Sequence, residues 1–291
     1  MKRIIIMIMV LTLSVTLFAG CSNNSASKNP NSITASGSSA LQPLVADVAN
    51  LYRINNPDIA ITINGGGSGV GLKNVSAGAV DIGNSDVYAQ EKLSASDASA
   101  LIDNKVCIVG VGVIVNSEMG AYISNITKAQ LKDIFSGKTT NWKDIGGPNQ
   151  QIVIINRPAS SGTRALFIKW GLDGQKTIDG DSSLQTDDSN ALAQTVSSTK
   201  GSIGYLAFPY INNNLDKVVS LAIDNIEANY DNICKGKYNI WGYEHMYTKG
   251  QPNETVQKFL NFMKSSSVES EILNLGYGII SKLSSSVAKS R

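Results

Sequence analysis

Ile33-Thr34-Ala35-Ser36-Gly37-Ser38-Ser39-Ala40 is a short β-like run that breaks into a loop of serine and glycine and then opens a helix. Leu41, Leu44, Val45, Val48, Leu51 and Tyr52 follow at helical spacing, which predicts an amphipathic helix over about 40–54, closed by Asn55-Asn56-Pro57. The same grammar recurs. Ile59 to Ile63 is a strand, Gly65-Gly66-Gly67-Ser68-Gly69 a loop, and a second helix runs from about Ser68 to Gly78. Gln151 to Asn156 is a strand, Ser160-Ser161-Gly162-Thr163 a loop, and a third helix runs to about Trp170. Short apolar strands alternating with helices define an α/β architecture.

Working outward, Val106 to Val115 is a long apolar run that reads as a central strand, and Gly201 to Tyr205 as a further one. Thr127-Lys128-Ala129-Gln130 opens a helix with a capping-box pattern. Helices near Glu254–Met263 and Val268–Leu275 complete the chain, and no solenoid repeat is visible. At the other end, Lys2 and Arg3 precede an apolar run from Ile4 to Leu17 that ends in Leu17-Phe18-Ala19-Gly20-Cys21. A short apolar run behind positive charge is expected to be a signal peptide over 1–20 rather than a spanning helix. The small residues before Cys21 resemble the lipobox of bacterial lipoproteins, so Cys21 is the expected lipidation site and 21–32, rich in Ser and Asn, the tether.

The 291 residues carry 42% apolar side chains, enough for a sizeable core. Setting Lys2 and Arg3 aside leaves 23 basic residues against 23 acidic ones, so no general basic field for nucleic acid exists and any anion site must be local. Cys107 and Cys234 could pair or stay free, and no metal-ligand cluster is visible.

The three loops supply such a local site. Helix N-termini present unpaired N–H donors and a partial positive charge, and glycine permits close approach. For any one of them, simple helix capping is the commoner role; three together with Arg157 point to an oxyanion. Arg157 adds a planar fork suited to oxyanions. A carboxylate, Asp86, in Asp81-Ile82-Gly83-Asn84-Ser85-Asp86, repels a fully ionised anion but accepts from a protonated one. Phosphate keeps a proton near neutral pH and sulfate does not, so Asp86 separates the two. Capping of a turn is the plainer role for Asp86 taken alone.

With Ala35–Ala40, Gly67-Ser68-Gly69, Asp81–Asp86 and Arg157-Pro158-Ala159-Ser160-Ser161-Gly162-Thr163 in view, the chain resembles the phosphate-binding components of phosphate ABC transporters, within the periplasmic-binding-protein superfamily. That resemblance implies a two-lobed fold of type II, a central sheet in each lobe and a hinge of crossing strands. It places lobe one at 33–112 plus 242–291 and lobe two at 113–241, with the first crossing near Val113 and the return near Trp241. It implies that Ser38, Ser39, the Ala40 amide, Ser68, Asp86, Arg157, Ser161, Gly162 and Thr163 bind inorganic phosphate. A membrane permease of an ABC importer is the implied partner, together with the membrane itself through the lipid anchor; a monomer without cofactor or metal is expected. Some members have an acid two residues after the arginine; here that residue is Ala159.

Enzyme chemistry finds little support. The glycine-rich loop lacks G-x-G-x-x-G and a P-loop lysine, there is no G-x-S-x-G elbow, and the single histidine, His245, reads as a packing or surface residue. Sulfate or molybdate capture, or a signalling or adhesion role on the same scaffold, are the alternative readings.

Overall fold

The structure is a computed structural model and describes residues 31–178 and 187–291. The signal-peptide and Cys21 expectations fall outside them. Nine strands are present among the described residues: β1 (Ser32–Gly37), β2 (Ala60–Gly66), β3 (Ile82–Ser85), β4 (Leu101–Asn116), β5 (Asn125–Ile126), β6 (Val153–Ile154), β7 (Ser202–Ala207), β8 (Val218–Ile223) and β9 (Trp241–Lys249). The helices that matter below are α1 (Gln42–Asn55), α2 (Ser68–Ser76), α3 (Lys128–Phe135), α4 (Gly162–Leu166), α5 (Ser189–Ser198) and α6 (Glu254–Met263).

Strand β4 holds the molecule together. From Leu101 to Gly110 it pairs antiparallel with β9, which joins it to β3, β1 and β2. From Val111 onward it pairs instead with β7 and, from Val113, with β8 on its other side. One strand thus belongs to two sheets, and its partners change between Gly110 and Val111. The residues that allow this are the buried run Val106 to Val115, which is apolar toward both faces. A strand covered on both sides needs such a run, since each buried Val or Ile side chain contributes roughly 1.5–3 kcal/mol. In the first sheet β1 runs parallel to β2 and β3, so each βα connection brings a helix start to the same strand ends.

Helix α1 opens on the Gln42-Pro43 step, in the first turn where a missing N–H costs nothing, and buries Leu44, Val45, Val48, Ala49 and Tyr52. Tyr52 packs edge-on against Phe259 of α6 at 5.3 Å between ring centroids. Thr127 and Gln130 form the reciprocal capping box on α3. The strand expected over Gln151–Asn156 is shorter, because only Val153 and Ile154 pair with β7. Its flanks are drawn elsewhere: Ile152 donates to the Thr140 carbonyl at 2.8 Å, and the Asn156 side chain bonds Thr177 and Tyr205. The helix expected to reach Trp170 is regular only to Leu166 and continues as a π turn over Phe167–Gly171. Cys107 and Cys234 are both free thiols.

Candidate functional site

The loops ending β1, β2 and β3 meet the loop after β6 across the middle of the molecule. Three contacts tie them. Ser39 Oγ accepts from Arg157 Nη2 at 3.1 Å. Thr163 Oγ1 donates to Asp86 Oδ2 at 2.8 Å. The Gly69 amide donates to the Ser160 carbonyl at 2.9 Å. Ser68 Oγ accepts from the Asp86 amide at 2.9 Å, which fixes the turn that carries the carboxylate. At Gly162 a Cβ would lie 2.1 Å from Ser68 Oγ and 2.9 Å from the Asp86 Cβ, so only glycine lets the start of α4 come this close.

The nine candidate residues are thus near one another, and all are buried. Their roles differ. Ser161 Oγ caps α4 by accepting from the Arg164 amide at 3.2 Å. Ser38 Oγ turns back to accept from the Leu41 amide at 3.1 Å, steadying the entry to α1. The carbonyls of Ser39 and Ala40 are held by the Tyr210 and Tyr277 hydroxyls. His245, 1% exposed, is a packing residue, hydrogen-bonded to Asp103 at 2.8 Å and stacked on Tyr247.

Arg157 is 1% exposed. Its Nη2 is saturated by Ser39, Ser189 and the Asp187 carbonyl at 2.8–3.1 Å. Its Nε and Nη1 have no hydrogen-bond partner among the described residues, and neither does Asp86 Oδ1. A buried guanidinium and a buried carboxylate each keep part of their bonding capacity unused, within one cluster. Desolvating such groups without partners is costly, so the site is built to bond something that both accepts and donates.

Sequence reasoning missed Asp187. Its carboxylate lies 3.9 Å from Arg157 Nε and accepts from Ser160 Oγ at 2.6 Å. Burial pushes Asp187 above the usual carboxylate range, against the pull of Ser160 and Arg157. It does from 30 residues downstream what an acid at Ala159 would do beside the arginine. The local signal at Asp187-Asp188-Ser189 is only an N-cap for α5, realised by Asp188 accepting from the Ala191 amide at 2.7 Å. Arg164 donates to the Arg157 carbonyl and to Thr177 Oγ1, bracing the loop from behind. Among the described residues no cluster of His, Cys, Asp or Glu is placed to hold a metal ion.

Two sheets sharing one crossing strand, with an anion-type donor set where their loops meet, define an α/β binding protein of the two-lobed kind. The family model of the PBP superfamily domain matches residues 24–267, and the chain belongs to that superfamily. It is 42% identical over 284 residues to the phosphate-binding protein PstS of Bacillus subtilis, covering 94% of this chain and 92% of that one. Among solved structures it resembles a putative phosphate ABC transporter substrate-binding protein with bound phosphate from Clostridium perfringens. There the TM-score is 0.76 at 26% identity, covering 86% of this chain and 99% of that one. An ABC-type phosphate transport receptor from Vibrio cholerae matches with a TM-score of 0.67 at 25% identity, over 85% of this chain and 99% of that one.

Proposed function

We propose that this chain is an extracytoplasmic solute-binding protein, not an enzyme, that captures inorganic phosphate between its lobes and delivers it to an ABC importer. The observation that carries the reading is the pairing, in one buried cluster, of unused guanidinium donors on Arg157 with an unused carboxylate oxygen on Asp86. Hydrogen phosphate matches it: its bare oxygens accept from Arg157 and the helix starts, and its proton goes to Asp86. Sulfate meets the same donors but leaves Asp86 facing an oxygen of like charge. The names borne by relatives and structural neighbours agree with this ligand and this partner.

In this reading Ser39, the Ala40 amide, Ser68, Arg157, Ser161, Gly162 and Thr163 are the donors, Ser38 supports them, and Asp86 is the acceptor. Lobe one comprises 33–112 with 242–291, and lobe two 113–241; the change of β4 partners after Gly110 and the start of β9 at Trp241 support these limits. The chain acts as a monomer, held to the outer face of the cell membrane by acylation of Cys21 after removal of 1–20.

Calorimetric titration with phosphate and, separately, with sulfate tests the function. Micromolar or tighter phosphate binding without sulfate competition is expected; no phosphate heat would sink it. Cys21→Ser should release the chain from the membrane fraction, and retention there would refute the anchor.

A further inference from the structure

Glu244 lies wholly buried in β9, and neither of its carboxyl oxygens has a hydrogen-bond partner among the described residues. The strand register sets it opposite Cys107 of β4. It shares a face of β9 with Gly242, where a Cβ would sit 3.2 Å from the Asp86 carbonyl oxygen. Four titratable groups bear on it: Asp86 from the loop after β3, Cys107 from β4, Tyr210 after β7 and Tyr277 near the C-terminus. None of them is a cation. The two tyrosine hydroxyls are already spent on the Ser39 and Ala40 carbonyls. Burial first, then the negative charge of Asp86, push Glu244 well above the ordinary carboxyl range. Burial likewise raises the Cys107 thiol, so it stays neutral. A desolvated acid without a counter-charge keeps its proton and needs an acceptor. Asp86 Oδ1 is a carboxylate oxygen nearby without a donor among the described residues.

We propose that Glu244 is a positioning residue for oxyanion recognition: as a neutral acid it donates to Asp86 Oδ1, leaving that oxygen's second lone pair to receive the proton of the bound phosphate. The proposal rests on the phosphate reading above. With Thr163 bonded to Oδ2 and Glu244 to Oδ1, the acceptor is clamped from both sides and the carboxyl pair carries a single negative charge. Loss of the shared proton at alkaline pH sets two carboxylates against each other and against the anion. Phosphate affinity therefore falls on the alkaline side through a step that belongs to the protein and not to the ligand's own titration.

The test uses the wild-type chain, Glu244→Gln and Glu244→Leu, each titrated with inorganic phosphate from mildly acidic to alkaline pH. Infrared spectra of the three proteins without ligand are recorded alongside. The wild type is expected to show the C=O stretch of a protonated carboxyl that both variants lack. Glu244→Leu should weaken phosphate about tenfold or more, since Asp86 loses a charge-assisted bond. Glu244→Gln retains a donor but cannot ionise; it should weaken phosphate less than the leucine and lose the alkaline decline. Parallel pH profiles for wild type and Glu244→Gln, or a carboxyl band of undiminished intensity in that variant, overturn the proposal. Should the leucine variant fail to fold, the glutamine profile and the infrared band still decide. A wild-type chain that shows the band yet takes no phosphate overturns the functional reading and the recognition role, while the protonated Glu244 stands.

Discussion

In the proposed reading, Arg157 and Asp86 divide the work of recognition through the atoms they leave unused: two guanidinium nitrogens on one, a single carboxylate oxygen on the other. The same reading assigns selectivity to Asp86, whose unpartnered carboxylate oxygen can reward a protonated ligand. In Asp86→Asn the amide can turn its NH2 toward the anion, so the penalty against sulfate disappears. Phosphate should lose about tenfold or more in affinity, and sulfate should become a measurable competitor. Calorimetry with both anions checks this, and unchanged selectivity would remove the role. The types of these residues were legible in the sequence because they sit in short segments whose loops and helix starts are local. Asp187 was not, since its only link to Arg157 is a fold that brings residues 30 apart in sequence to 3.9 Å. Glu244 was equally hidden: a glutamate between aromatic residues in a strand gives no sign of which face it occupies until the register with Cys107 is known.

At the scale of elements, the site depends on how closely α4 approaches α2. The Gly69 amide bonds the Ser160 carbonyl, and Gly162 presses on Ser68, so two helix starts meet almost backbone to backbone. Gly162→Ala adds one methyl where the nearest atom is the Ser68 hydroxyl at 2.1 Å, and α4 must retreat or Ser68 must rotate off the Asp86 amide. Phosphate affinity is expected to fall at least tenfold with the far-ultraviolet circular dichroism unchanged, since an alanine is compatible with the helix itself. Wild-type affinity in this variant would show that the approach is not needed. Helix boundaries in this region were read from capping and periodicity to within a few residues, because those signals are local. The short β6 escaped, because it follows from partners outside the segment: Thr140 claims the Ile152 amide, and Thr177 and Tyr205 claim Asn156.

Across the whole molecule, the loops of the two sheets are tied by a side chain that does not need the ligand. Lys92, beyond β3, reaches over to the Arg157 loop and donates to the carbonyls of Ala159 at 2.7 Å and Ser161 at 3.3 Å. Burial lowers its pKa, and Asp187 and Asp86 oppose that. Lys92→Met removes the tie while keeping the length of the stem. Discounted for partial exposure, the bond contributes about 1 kcal/mol, so phosphate should dissociate about fivefold faster with little change in association. Equal dissociation rates in stopped flow would deny the tie. The closed core also fixes how stability responds to pH. Folded Glu244 holds its proton well above the ordinary carboxyl value, whereas the unfolded chain releases it near about pH 4.3. Between those values the unfolded state binds fewer protons, so stability falls as pH rises, by at most about 1.4 kcal/mol per unit. Asp187 is shifted the same way and adds to the slope, so the useful measurement is a difference. Urea denaturation of wild type and Glu244→Gln across neutral pH should show the wild type losing ground steadily to the variant as pH rises. Curves that stay parallel would mean that Glu244 is ionised in the folded chain, and a buried charge would then need a counter-ion that none of Asp86, Cys107, Tyr210 and Tyr277 can supply.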